Sequence, residues 1–167
     1  MESLGLGAVT TQGYATFVRQ LASAVVIATF RQKVAGRPDF ESSIQGRLSI
    51  IPILIAPFDN TNGFSTGMAI VNSDSVVAAY ILTFYDAFGG LVSTDAVSLM
   101  PGQHVAFSSA ARFVDTTNKV GVMRVARVTT TPNPYGTPLP YMALTVLRFN
   151  PTGASAVMPL YDLQLGF

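Results

Sequence analysis

The stretch at residues 64–90, FSTGMAIVNSDSVVAAYILTFYDAFGG, limits the fold more than any other part of the chain. Two runs rich in β-branched and aromatic residues flank the turn formers Asn72, Ser73, Asp74 and Ser75, which predicts a β-hairpin. In the second run Val76, Ala78, Tyr80, Leu82 and Phe84 share one face. Val77, Ala79, Ile81, Thr83 and Tyr85 share the other, which is nearly as apolar. A strand wetted on one side alternates cleanly, so both faces are expected to lie under protein. Asp86, Ala87, Phe88, Gly89 and Gly90 then close the unit, glycine supplying the positive φ that such a loop needs.

The rest of the chain has the same character. Strands are expected at residues 13–19, 23–31 and 40–44, with a turn cluster, KVAGRPD, over 33–39. The aliphatic run 48–56 contains Pro52, which has no ladder donor and marks an edge or a bulge, and 57–63 reads as a loop. Further strands are expected at 91–99, 104–108, 121–128, 141–149 and 156–160. Met100-Pro101-Gly102-Gln103 and Asn150-Pro151-Thr152-Gly153 read as tight turns between them. Residues 109–120 lack a clear period and are expected to wrap one end of the fold, pinned by Phe113. Residues 129–140, TTTPNPYGTPLP, hold four prolines in twelve positions and read as an extended surface loop. No amphipathic helical period emerges. Short strands punctuated by Gly and Pro predict an all-β chain, an antiparallel β-sandwich of Ig-like or Greek-key type with extra N-terminal strands. Residues 1–46 form the N-terminal strand segment in this reading and 47–167 the sandwich domain.

The series STGMAIVNSDS, AAYILTFYDAFGG, VSLMPGQHVAF, KVGVMRVARV and ALTVLRFNPTG resembles a β-sandwich module found in tandem in large secreted or surface proteins of bacteria. A glycine-led strand ending in Asn, a TFYD-like strand, a Pro-Gly turn and a late LRF-like strand follow in the module's order over about residues 50–160. The resemblance implies extracellular structural or adhesive use. It transfers no functional residue.

A second likeness is internal. Residues 13–19 (GYATFVR) resemble 121–127 (GVMRVAR), and 26–31 (VIATFR) resemble 143–148 (ALTVLR). The paired arginines lie 12 apart in the first copy and 21 apart in the second, an excess close to the length of the Pro-rich insertion. Residues up to about 46 then read as the closing strands of a module whose opening strands are missing. Two or three strands do not hide their own apolar face. Burying some ten apolar side chains at roughly 2 kcal/mol each is worth on the order of 20 kcal/mol at most. These strands can pack on their own chain, belong to a preceding module, or complete a sheet in the next subunit as pilin-type donor strands do. The last arrangement is head-to-tail and propagates into a filament. It is the reading favoured, with Tyr14, Phe17, Val25, Ile27 and Phe30 as expected subunit contacts.

Composition points the same way. Charged residues make up 11% of the chain against roughly 25% in ordinary soluble domains, so little electrostatic repulsion keeps copies apart. A net charge of +1 gives no concentrated basic face for nucleic acid. With no cysteine, disulfides, zinc thiolate sites and thiol catalysis are all excluded. The apolar run 21–30 is too short to span a bilayer; it has features of a signal h-region, but its β-branched residues favour a strand.

Chemistry-bearing constellations are sparse. His104 is the only histidine and reads as a surface or turn residue; Ser108, Ser109 and Asp115 are near it in sequence, but no G-x-S-x-G elbow accompanies them. Asp59-Asn60-Thr61-Asn62-Gly63 lacks a calcium loop's ligand spacing and closing Glu, and reads as a turn. Arg124, Arg127 and Arg148 sit on strands, where they face solvent, pair with the scarce carboxylates or line a contact. Thr129, Thr130 and Thr131 beside prolines are a candidate for O-linked sugars. The expectation is a non-enzymatic, extracellular structural protein that needs no cofactor or metal. Its main partner is itself, with glycans second, and neither nucleic acid nor a membrane span is expected. The alternative is a monomeric adhesion or carbohydrate-binding module, with Phe88, Tyr135 and Tyr141 as the loose aromatic candidates.

Overall fold

The computed structural model describes residues 27–32, 40–45, 53–128 and 142–162. Among them the chain is all-β and antiparallel throughout, apart from one short helical segment. A five-stranded sheet has the order β11 (Tyr161–Asp162), β3 (Ile53–Asp59), β8 (Val120–Val128), β5 (Ala78–Asp86), β6 (Leu91–Leu99). A four-stranded sheet has the order β10 (Ser155–Val157), β9 (Met142–Phe149), β4 (Ser65–Asn72), β7 (His104–Ser108). Strands β1 (Ile27–Gln32) and β2 (Phe40–Gln45) pair only with each other, Arg31 opposite Glu41.

Period-two patterning assembles the core. Leu54, Ala56 and Phe58 on β3, Tyr80, Leu82 and Phe84 on β5, and Met123 and Val125 on β8 point inward from the larger sheet. Met68 and Ile70 on β4 and Met142, Leu144 and Val146 on β9 meet them from the smaller one, in a single apolar cluster. Phe58 and Phe84 stack edge to face at 5.3 Å. The segment between β7 and β8 closes one end: α1 (Ser109–Arg112) and a 3-10 turn over Val114–Thr116 place buried Phe113 against Phe84 and Phe107. The sequence reading of that segment as a cap pinned by Phe113 therefore holds.

The expected hairpin at residues 64–85 is not one. β4 and β5 belong to different sheets, and the mostly exposed link between them passes from one sheet to the other. A tight hairpin needs positive φ in its turn, and residues 73–77 supply none. Both strands also carry an apolar face that is covered only by facing the other sheet. The true hairpin is β5–β6, where Gly89 has φ 84° and the Asp86 N–H donates to the Gly90 carbonyl at 2.8 Å.

Three boundaries shift for local reasons. β3 runs on through Pro57, where a loop was expected. The Asn60 N–H donates to the Lys119 carbonyl, so by alternation the ring nitrogen of Pro57 faces away from β8. On that side β11 pairs only with Ile55 and Leu54, and a missing donor leaves no gap. β10 ends at Val157 instead of reaching Leu160, because the chain passes Pro159 and joins the other sheet as β11. β8 begins one residue early, at Val120. The expected strand at 13–19, the turn at 33–39, Pro52 and the Pro-rich loop lie outside the described residues.

Candidate assembly surface

Two buried asparagines hold the crossings between sheets, one at each end of β4. The Asn72 side-chain Nδ2 donates to the carbonyls of Val76 (2.8 Å) and Leu99 (2.9 Å). Its Oδ1 accepts from the Asp74 N–H, and its own main chain bonds to Gln103 and Gly102. The β4–β5 and β6–β7 crossings are thereby tied together. At the other end Asn60 Nδ2 donates to Ser109 Oγ at 2.8 Å and to Thr116 Oγ1 at 3.0 Å, while Oδ1 accepts from the Thr66 N–H at 2.9 Å. Asn60, Thr66, Ser109 and Thr116 are all buried, and each is satisfied within this node. Ser109, near His104 in sequence, is thus a structural hydroxyl.

The few charges are mostly paired. Arg127 Nη2 donates to Asp74 Oδ2 at 2.7 Å, and Arg148 Nη2 to Asp59 Oδ2 at 2.6 Å. Arg148 also lies 3.7 Å from the centroid of the Phe64 ring. Burial works to raise the Asp59 carboxyl, but bonds from Thr61 and Arg148 outweigh it and hold the group below its ordinary value. Asp74 is held down likewise, burial being opposed by Arg127 and Ser75. Of the arginines read as solvent-facing, paired or contact-lining, Arg127 and Arg148 are paired. The turn reading of residues 59–63 also stands, since the Asp59 carboxylate caps Thr61 and binds Arg148 while Asn62 and Gly63 take positive φ. Among the described residues no group of three or more His, Asp or Glu converges in a metal-holding arrangement, and no helix is long and apolar enough to cross a membrane.

What distinguishes this molecule is its exterior. The expectation that protein covers both faces of β5 is met only in part among the described residues: Ala78, Tyr80, Leu82 and Phe84 are buried, and on the opposite face Thr83 is buried while Val77 and Ile81 are exposed. The strand lies inside its sheet, and among the described residues no second layer covers the outer face at Val77 and Ile81. Across the outside of the larger sheet, register aligns Pro57, Val122 and Tyr85 in one row and Ile55, Arg124 and Thr83 in the next. The outside of the smaller sheet has Leu147, Gly67 and Ser108 in one row and Thr145, Ala69 and Ala106 in the next. Here an open groove of about 310 Å³ runs over Gly67, Ala69, Ala106, Thr145, Leu147 and Phe149. Exposed sheet faces normally carry polar side chains; these rows are nearly charge-free.

The predicted donor strands are only partly in view. Ile27 is 64% exposed in β1, and Phe30 is the fourth residue of that strand. Tyr14, Phe17 and Val25 lie outside the described residues, as do Thr129, Thr130 and Thr131 and the aromatic candidates Tyr135 and Tyr141. Arg31 Nε donates to Glu41 Oε1 at 2.7 Å within the β1–β2 pair, and Ser42 Oγ donates to the Ser155 carbonyl at 3.0 Å, joining β2 to β10. Phe88 stands almost fully exposed at the tip of the β5–β6 hairpin. Sequence reasoning placed the strand at 91–99 but missed that β6 is an edge, and missed its ion pair, Arg112 Nη2 to Asp95 Oδ2 at 2.8 Å. No family model and no curated protein matches this chain.

Proposed function

We propose that this chain is a structural subunit of an extracellular filament, an Ig-like β-sandwich that assembles head-to-tail when the N-terminal strands of one copy complete a sheet of the next. The observation that carries the reading is the β1–β2 pair, which among the described residues forms no ladder with either larger sheet, meets the smaller one at β10 through Ser42, and leaves Ile27, Ala28 and Thr29 exposed. A two-stranded ribbon is marginal in water and gains stability by finding a sheet to extend or cover. The charge-poor outer faces support it, as do open edge strands lacking lysine and proline. Heterologous contacts of this kind do not close on themselves, so the product is a filament.

Deletion of residues 1–46 tests the reading. Full-length protein is expected to form long polymers by negative stain and sedimentation, and the truncated chain to stay folded and monomeric. Polymers that persist after the deletion overturn it. A second reading, a monomeric adhesion or sugar-binding module, is favoured by Phe88 at the hairpin tip. In that case the full-length chain sediments as a monomer at every concentration, and Phe88→Ser lowers binding to a glycan array.

A further inference from the structure

β6 is the larger sheet's open edge. Among the described residues it pairs with β5 alone, and it spans nine residues, about 30 Å. Alternation carried across from β3 through β8 and β5 turns the N–H groups of Thr94, Ala96 and Ser98 away from β5, toward open space. Natural edges of this length are usually blunted by lysine, proline or an inward-pointing charge. β6 has neither lysine nor proline, and its one charge is Asp95 at the middle of the strand. By register Asp95 lies opposite Leu82, on the core side of the sheet. Its Oδ1 accepts from the Ala96 N–H at 2.7 Å, occupying one of the outward donors. Its Oδ2 accepts from Arg112, whose guanidinium lies over the Phe107 ring at 4.8 Å. A carboxylate and an arginine thus close the centre of an otherwise open edge.

We infer that β6 is the acceptor edge, that its occupant is the segment 13–26 of a second copy, and that Asp95 exchanges Arg112 for the incoming Arg19. The inference rests on the filament reading. Two observations select this occupant. The segment 13–26 is long enough for a strand the length of β6 together with a tether. Within 13–26 Arg19 is the one charged residue, while β6 offers one anion, so a single complementary pair sets the register. Pairing β6 with another copy's β6 is disfavoured, because a symmetric antiparallel register brings the two Asp95 carboxylates opposite or nearly opposite each other.

The test uses the full chain, with amide hydrogen exchange and sedimentation read across protein concentration. Wild type is expected to protect the Thr94, Ala96 and Ser98 amides only as polymer forms. Asp95→Arg is expected to raise the association midpoint at least about tenfold, and Arg19→Asp combined with Asp95→Arg to restore it. Asp95→Asn, which keeps the side-chain shape, guards against a folding defect and should give a smaller shift in the same direction. Polymers that form normally in Asp95→Arg, with those three amides exchanging freely, overturn β6 as acceptor. If deletion of 1–46 still abolishes those polymers, the filament reading survives that loss. Protection that is independent of concentration places the segment on its own chain and overturns the exchange between copies. A wild-type chain that never polymerises removes both.

Discussion

Asn72 shows how one residue decides a connection. It is fully buried, and its amide satisfies the carbonyls at which two crossing segments leave their strands. The hydroxyl of Tyr80 lies 3.4 Å from the same Oδ1, and burial raises the phenol further above its ordinary value. Asn72→Ala strands the buried Leu99 carbonyl and the half-buried bond to Val76, and an expected loss of about 1–3 kcal/mol follows, read as a lower urea midpoint at unchanged slope. Asn60 has the same part at the opposite end, so Asn60→Ala should cost a similar amount. The two effects should add, since a whole strand, about 25 Å, separates the sites.

At the scale of elements, β5 and β8 approach so closely at one end that a Cβ on Gly121 would run into the Tyr85 carbonyl oxygen. A register irregularity lies on the other side of β5 at the same place: Phe84 pairs with Ser93 and Tyr85 with Leu91, leaving Val92 of β6 as the extra residue. Gly121→Ala is expected to destabilise by about 1–3 kcal/mol or more, measured by thermal and urea unfolding. Gly67→Ala presses only on the outer edge of the Phe149 ring, which can turn, so it should cost less. Strand positions were legible in the sequence because period-two alternation and Gly/Pro punctuation act locally: 91–99 and 104–108 were placed to the residue. Strand partnership was not legible for 64–86. Asn-Ser-Asp-Ser serves a hairpin turn or a crossing between sheets equally well, and the choice is made by the Leu99 and Gln103 backbone contributed from elsewhere. The β6 edge was hidden for the same reason, since nothing local to 91–99 tells an edge strand from an inner one.

For the molecule as a whole, the scarcity of charge concentrates electrostatics in a few pairs at the ends of the strands. Asp59 and Asp74 stand near opposite ends of β4, each with a carboxyl held below its unfolded value near 3.8. A depressed carboxyl contributes stability that is complete above the unfolded value and is lost as pH falls through the folded one. Unfolding free energy should therefore be flat from neutral pH down to about 5, then decline below about 4 as both pairs protonate. Asp59→Asn with Asp74→Asn should lower stability at pH 7 and flatten the acid slope, as followed by denaturant titration across pH. An unaltered slope in that variant would assign the acid response elsewhere.

The pairing of β11 with β3 sets where such a molecule fails under load. Asp162 lies opposite Leu54, so the strand that enters the larger sheet and the one that leaves it finish side by side. Tension drawn through those two points acts across the ladder and peels its bonds one at a time, where tension along the strands would stress them all together. Rupture there exposes the flank of β3 while the nine-residue β5 and β8 keep their register. A fibre of such units would yield by small reversible extensions at each joint before any core opened.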